Sequence, residues 1–258
     1  MLLQTLLLLT ALTTAETTLV RRPPPAPAPA KTLAVLYFDN RTGNSDYDPL
    51  GKGLAAMMIT DLAAVEELQV VEREHLQSVL AELERQRSPF FDQATAVKAG
   101  KLVGAQYILA GQITAVKPRV RLDTRVINVE TSEIVKTAQV TGDEDKFFEL
   151  QQKLARNLVD GLSIALSPEA QEKLQVQQES NRIDRLNTMV QLSQAMALFD
   201  RGEYPDALLK MGPVVRSQPK SLIVQLTYEE MKRRAAAKTN QKAKEKTRDF
   251  IRGILKPD

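Results

Sequence analysis

The sequence contains no cysteine and a single histidine, His75. Without cysteine there can be no disulfide, no thiolate metal ligand, no thiol nucleophile and no lipid attached through a cysteine. A single histidine excludes two-histidine metal sites and leaves only one position for a histidine-based catalytic triad. His75 follows Glu72, Arg73 and Glu74 on a predicted helix, which is typical of a surface residue.

A strong charge of either sign is also missing. The 258 residues include 35 Lys and Arg against 32 Asp and Glu, so the net charge is only +3. Such a small excess produces no overall field that would draw the protein to nucleic acid or to an anionic membrane, and no nucleic-acid partner is predicted. The apolar fraction of 43% and the charged fraction of 26% are ordinary for a globular protein.

The apolar run that opens the chain is too short to cross a bilayer. Residues 1–15 (MLLQTLLLLTALTTA) end in small residues at the spacing of a cleavage site, which predicts a signal peptide and a mature chain beginning near Glu16. No basic residue precedes the run, as would be usual in a signal peptide. The alternatives are a buried helix, or a longer signal peptide that starts further upstream. Residues 16–31 contain RRPPPAPAPA, which predicts a polyproline-type linker. The expected location is the periplasm, either free or peripheral to the outer membrane.

Residues 32–166 alternate between strand and helix patterns. The predicted elements are strand Thr32–Phe38, helix Pro49–Val65, strand Leu68–Val71, a helix from Glu72, helix Gln93–Val103 capped by Asp92, three strands between Gly104 and Gly142, and helix Asp145–Leu166. This order predicts an α/β fold with one mixed sheet and packed helices.

The three consecutive strands predict an antiparallel meander. The middle strand alternates between an apolar face (Val120, Leu122, Thr124, Val126) and a charged face (Arg121, Asp123, Arg125). A period of two is what a strand with one buried face and one hydrated face requires. The first strand, Tyr107 to Val116, is apolar on both faces in its first half, which predicts a central position in the sheet.

Several strings in this region resemble a known family. LAVLYFDNRTGNSDYDPLGKGLAAMMITDL, LQVVEREHLQSVL, GAQYILAGQIT and VRLDTRVINVETSEIV are similar to the periplasmic domain of the curli-export lipoprotein CsgG. Its relatives include the amino-terminal domain of TolB, FlgO and the activators of penicillin-binding proteins. The resemblance covers residues 31–166 and implies the fold of that group, with protein contacts through the sheet edge and the helical faces. Because CsgG-like relatives form rings, a homo-oligomer is left open.

Two features depart from that family. Its pore-forming members insert long hairpins into the sheet, whereas the corresponding links here are Lys117-Pro118 and Gly142-Asp143-Glu144. A membrane-spanning strand needs about ten residues, so this chain is not expected to form that pore. The cysteine that anchors many relatives to lipid is absent as well.

After Pro168 the composition becomes polar and helical. Residues 167–186 predict a helical linker, and residues 187–258 predict a helical module with one tetratricopeptide-like repeat. The repeat pattern rests on the spacing of Ala195, Leu198, Gly202, Tyr204, Ala207 and Pro219. Gly212-Pro213 departs from it and is expected to break or kink the second helix. The predicted partner-binding residues are Tyr204, Leu208 and Met211.

The C-terminal tail is basic. Residues 232–248 carry eight basic residues and one acidic residue, and they are followed by Phe250, Ile251, Ile254 and Leu255. This pattern predicts a solvated terminal helix. The alternative is a contact with an acidic partner or an anionic membrane surface.

Three groups of residues suggest catalysis or ligand binding but lack the required pattern. Gly51-Lys52-Gly53 lacks the spacing and the hydroxyl residue of a phosphate loop and predicts a flexible start of a helix. Asp46 with Asp48, and the triplet Asp143-Glu144-Asp145, lack the glycine and distal glutamate of a calcium loop. The triplet is expected to cap the next helix. No catalytic residue, cofactor or metal ion is predicted.

The sequence thus predicts a non-enzymatic envelope scaffold or accessory protein. It would support assembly of a secretion, flagellar or wall-building complex, such as curli assembly, through envelope protein partners. One alternative is a periplasmic ligand-binding sensor, or a regulator of a wall-synthesis enzyme, with its ligand at Asp39 to Gly53. Another is a carboxylate-pair hydrolase that uses the aspartates after the first strand, Asp39, Asp46 and Asp48. The first region, residues 31–166, is expected to stay folded without residues 186–258.

Overall fold

The structure is a computed structural model that describes residues 30–85, 89–115, 118–164 and 166–254. The predicted signal peptide, almost all of the proline-rich linker, Lys117 and Leu255 lie outside the described residues, as does the side chain of His75. Five strands and eight α-helices are described. The strands are β1 (Lys31–Asn40), β2 (Leu68–Val70), β3 (Tyr107–Ala115), β4 (Arg119–Asn128) and β5 (Ile134–Asp143). The helices are α1 (Leu50–Leu62), α2 (Arg73–Arg85), α3 (Gln93–Leu102), α4 (Phe147–Gly161), α5 (Pro168–Ser180), α6 (Leu186–Asp200), α7 (Tyr204–Ser217) and α8 (Leu222–Ile254).

The five strands form one mixed sheet in the order β2-β1-β3-β4-β5. β1 runs parallel to both β2 and β3, while β3, β4 and β5 form the predicted antiparallel meander. β3 is the middle strand of the sheet, and its residues 108–111 are buried. The predicted α/β fold class is confirmed.

Helices cover the two faces of the sheet unequally. α1 and α4 pack on one face, and α2 and α3 pack on the other. α3 begins where Asp92 caps it by accepting a hydrogen bond from the Thr95 amide, as predicted. The helices α5 to α8 form a further layer outside α1, with α6 resting directly on it. Within the described ranges, no helix is both long enough and apolar enough to span a bilayer.

The two glycines near the start of α1 are close-packing positions rather than a flexible segment, so that prediction was wrong. A Cβ added to Gly51 would lie 1.9 Å from the carbonyl oxygen of Phe38 in β1. A Cβ added to Gly53 would lie 2.0 Å from Ser193 Oγ in α6. Only glycine permits both approaches, because each neighbour occupies the volume of a methyl group.

Two other local predictions are confirmed only in part. The triplet at 143–145 lies at the start of the 3-10 turn Glu144–Lys146, which leads into α4, but it makes no side-chain capping hydrogen bond there. The predicted break at Gly212-Pro213 does not occur, since α7 continues to Ser217. Proline leaves the carbonyl of Leu209 without its helical donor. Leu209 is 78% exposed, so water can reach this part of the helix.

Candidate functional site

Asp39, the residue proposed for hydrolysis, holds two chain segments together. Its Oδ1 accepts a hydrogen bond from the Phe90 amide at 2.9 Å, and its Oδ2 accepts one from the Phe91 amide at 3.0 Å. Arg41 lies 3.9 Å from the same carboxylate. Both oxygens are therefore engaged in fixing the turn that leads into α3, which is a structural task.

The other two early aspartates belong to a loop that is held by its own side chains. Asn40 Nδ2 donates to Asp48 Oδ1 at 2.6 Å, and Asn44 Oδ1 accepts from the Asp46 amide at 2.9 Å. Among the described side chains, no group of three or more Asp, Glu or His residues is placed to hold a metal ion. The structure does not bring Asp39, Asp46 and Asp48 together as an acid and base pair.

An open cavity of about 640 Å³ lies beside this loop. Its lining includes the carboxylates of Asp46, Glu144 and Asp145 and one guanidinium, that of Arg185. The volume is in the range of small-molecule sites, roughly 300 to 1,000 Å³. Three carboxylates against one cation favour a cationic or neutral polar ligand and disfavour a phosphate-bearing one.

The predicted partner-binding residues on α7 divide between core and surface. Met211 is fully buried and cannot contact a partner in this structure, whereas Tyr204 and Leu208 are half-buried. The Tyr204 ring packs against Phe199, with ring centroids 5.2 Å apart, and Lys238 Nζ of α8 lies 4.8 Å from its centroid. The accessible apolar side chain on this helix is Leu209, which the sequence analysis did not select.

β5 is the long edge strand of the sheet. Across the described strands it pairs only with β4, so one side of its backbone faces outward. The β4–β5 register shifts at Val135, which leaves Lys136 to Asp143 in regular pairing. Ile134 and Val135 are 40% and 42% exposed. An exposed edge of this length is a template for pairing with another strand.

The charged face of β4, together with the outward face of β5, is open. Arg121 and Asp123 form an ion pair at 3.0 Å, and Thr114 Oγ1 donates to the same aspartate at 2.8 Å. The Arg125 guanidinium stacks on the Phe91 ring at 3.5 Å. This polar face continues across Thr137 and Gln139 of the edge strand. We call β5 with this adjoining face the edge surface.

A buried carboxylate lies where α1, α4 and α5 meet. Asp61 is fully buried and accepts hydrogen bonds from Gln151 Nε2 at 2.5 Å and from Asn181 Nδ2 at 3.1 Å. Burial raises the pKa of Asp61 to about 6, although these amide donors oppose the shift. Two amide oxygens beside it, Gln151 Oε1 and Asn181 Oδ1, find no hydrogen-bond partner among the described residues. The sequence analysis missed this cluster; its signal was an acid within the apolar run MMITDLAAV.

Comparison with known proteins identifies part of the chain. Residues 14–121 match the model of the family described as "Curli production assembly/transport component CsgG". This part of the chain is therefore similar to the CsgG family. The match ends at Arg121 in β4, so the remainder of the meander and the C-terminal helices lie beyond it.

Individual relatives are distant. A protein from Rhizobium meliloti, provisionally named adenylate cyclase 3, is 25% identical over 151 residues, which is 58% of this chain. This chain spans only 24% of that curated relative.

Solved structures with low sequence identity are also similar to part of this chain. The LpoB C-terminal domain from Salmonella enterica is 22% identical, with a TM-score of 0.37, over 45% of this chain and 85% of that chain. TolB from Acinetobacter baumannii is 13% identical, with a TM-score of 0.36, over 54% of this chain and 29% of that chain. A PelC dodecamer from Paraburkholderia phytofirmans is 18% identical, with a TM-score of 0.35, over 55% of this chain and 94% of that chain.

Proposed function

We propose that this protein is a non-enzymatic accessory protein of the bacterial cell envelope that supports assembly of a secretion, flagellar or wall-building complex through protein partners. The observation that carries the proposal is the edge surface, where a ten-residue strand offers one row of backbone groups outward. An extended segment of a partner could add to this strand, with the adjoining polar face supplying specificity. The family description names an assembly or transport component, which supports the same role.

The hydrogen bonds made around Asp39, Asp46 and Asp48 support a non-catalytic role. The residues offered by the sequence as acid and base are occupied by amide and loop hydrogen bonds. The cyclase name of the distant relative does not transfer, because the match covers only a quarter of that protein. We place the protein in the periplasm, either free or against the outer membrane, and keep a homo-oligomer as an alternative partner arrangement.

Site-specific photo-crosslinking in the native host tests the proposal. A crosslinkable residue at Gln139 is expected to capture a defined envelope protein, whereas one at exposed Lys153 on α4 is not. Substituting Val135→Lys and Thr137→Lys should abolish the Gln139 product, because charge on an edge blocks strand addition. The matched control replaces Gln175 and Val176, two exposed residues of α5, with lysine.

Three outcomes decide the question. Loss of the product in the edge variant but not in the α5 control supports the proposal. Equal capture from Gln139 and Lys153 would contradict it, since the edge would then hold no special position. Capture of a second copy of this chain would show that the edge surface mediates self-association rather than binding of an envelope partner.

A ligand-binding sensor is the second candidate, and the cavity beside Asp46 favours it. Because the lining is acidic, we expect a cationic wall fragment, such as an amino sugar with a free amine, to raise the melting temperature. A nucleotide should give no shift. Retention of the amino-sugar shift after Glu144→Gln and Asp145→Asn would show that the ligand binds elsewhere.

A further inference from the structure

The last helix extends far beyond the body of the protein. α8 has 33 residues, which corresponds to a length of about 50 Å. Its first part packs on α7 and α6, where Val224 and Met231 are fully buried. Lys238 makes a further contact with the body, since its Nζ donates to the Gly202 carbonyl at 3.0 Å. The remaining turns, which we call the tail helix (residues 239–254), continue from there.

The tail helix is exposed along the side chains that the structure describes. Residues 239–241 and 243–248 are all exposed. From 238 to 252 the sequence contains six basic and two acidic residues. Lys232, Arg233 and Arg234, one turn earlier, form ion pairs with glutamates of their own helix. Among the described side chains, no ion pair involves Lys244, Lys246 or Arg248, so these cations are available to an external anion.

The basic residues are arranged around a continuous stripe. Ala236, Asn240, Ala243, Thr247, Phe250 and Ile254 follow one another at intervals of four, three, four, three and four residues. At 3.6 residues per turn, positions with this spacing share one face of a helix. The stripe becomes strongly apolar toward its C-terminal end. Lys244 and Lys246 fall on either side of it, about 80° away, because successive residues advance by about 100°.

This arrangement distinguishes a bilayer from other anionic partners. Nucleic acid or an acidic peptide would pair with the cations but would make no use of the apolar residues that the sequence places on the same face of the helix. A bilayer surface uses both: the stripe enters the boundary of the acyl chains, while flanking lysines extend to the lipid phosphates. The tail helix is about 24 Å long, and its described side chains from 239 to 248 are exposed, so it can lie flat on a surface.

We infer that the tail helix binds the surface of a bilayer that contains anionic phospholipid. The helix lies in the interface without crossing it, with the stripe of Ala243, Thr247, Phe250 and Ile254 toward the lipid. This contact would hold the body near the membrane and leave the edge surface free for a partner. It does not depend on that partner.

Co-sedimentation of the full-length protein with vesicles tests the inference. Binding is expected to vesicles of phosphatidylglycerol and phosphatidylcholine, and at least about tenfold weaker to phosphatidylcholine alone. Replacing Lys242, Lys244, Lys246 and Arg248 with glutamine should weaken binding about tenfold or more. The matched control, with glutamine at the exposed residues Lys98, Lys101, Lys153 and Lys210, removes the same charge from the body. It should change binding by less than about twofold.

A second variant tests the apolar stripe. Phe250→Ser with Ile254→Ser should abolish the binding that survives at high salt, where attraction between charges is screened. Equal losses in the tail and body charge variants would overturn the inference, as would equal binding to neutral vesicles. Binding to a DNA duplex or to polyglutamate, with no binding to vesicles, would also overturn it. Because no partner protein is present, failure here leaves the test of the edge surface unaffected.

Discussion

The two sides of α1 show two ways of joining a helix to its neighbours. Toward the sheet, Gly51 lies against the backbone of Phe38, and the contact is closed by main-chain atoms. Toward α6, Gly53 lies against the ends of two side chains, Ser193 Oγ and Met189 Cε. The second side also contains the buried Asp61, at its junction with α4 and α5. The inner contact is rigid because it is made by backbone atoms, whereas the outer contact is adjustable and has a buried carboxylate beside it.

Removal of the outer layer should have the largest effect. A chain that ends at Arg185 lacks α6, so the side of α1 that packs on α6 around Gly53 would then face water. Because burial of each large apolar side chain contributes about 1.5 to 3 kcal/mol, we expect the free energy of unfolding to fall by several kcal/mol. Urea denaturation followed by circular dichroism measures the change. Removing only residues 239–258 is the control and should shift stability by less than about 0.5 kcal/mol.

This prediction opposes the sequence-based division into two independent parts. If the chain ending at Arg185 unfolds cooperatively at the same midpoint as the full chain, the division is right and the contact between α1 and α6 is dispensable. A broad transition or a lower midpoint would mean that the outer helices complete the core of the first region.

Gly51→Ala tests the rigid contact between α1 and the sheet. The added methyl group would overlap the Phe38 carbonyl, which belongs to the backbone of β1 where it pairs with β3 and cannot rotate away. We expect a loss of about 3 kcal/mol or more, measured by urea denaturation. Gly212→Ala is the matched control, because its nearest neighbour would be Arg216 Nη1 at 3.5 Å. Replacing glycine with alanine inside a helix should stabilise the protein by about 0.5 to 1 kcal/mol. An equal loss of stability in the Gly51 and Gly212 variants would contradict the packing explanation.

The buried charge should make stability depend on pH. The pKa of Asp61 rises from 3.8 to about 6 on folding, so the folded state binds more protons than the unfolded state between these values. Stability from protonated Asp61 is therefore fully present below about pH 4 and lost as pH rises through about 6. The loss amounts to about 2 to 3 kcal/mol. Denaturation at several pH values across this range should show the loss of stability in the natural protein. Asp61→Asn should remove this dependence on pH. If stability falls with pH equally steeply in that variant, other groups cause the dependence.

Gly53→Ala should have the smallest effect of the four. Its methyl group meets flexible side-chain ends, which can move by rotation. We expect a loss of about 1 to 2 kcal/mol, and Ser193→Ala should recover part of it because the nearest obstacle is then removed. A double-mutant cycle measures the coupling. Additive losses would show that Ser193 is not the obstacle.

The meander and its neighbours were predictable because their signals are local. Alternation in β4 gives the two faces of the sheet, and Asp92 occupies the cap position three residues before Thr95. Short turns require consecutive strands to pair. The exposure of the predicted partner-binding residues on α7 was less predictable. The spacing that selected Met211 gives a helix face without saying which neighbour covers that face, and in the structure Met211 is completely buried.

The sequence by itself determined the order of elements, the α/β fold class and the basic, amphipathic character of the last helix. Each of these depends on residues within a few positions of one another. Only the tertiary structure decided that Gly51 and Gly53 are contact points and that Asp61 meets Gln151 and Asn181, which lie 90 and 120 residues away. Burial and raised pKa depend on what surrounds a group in space, so distant segments must come together before either property exists.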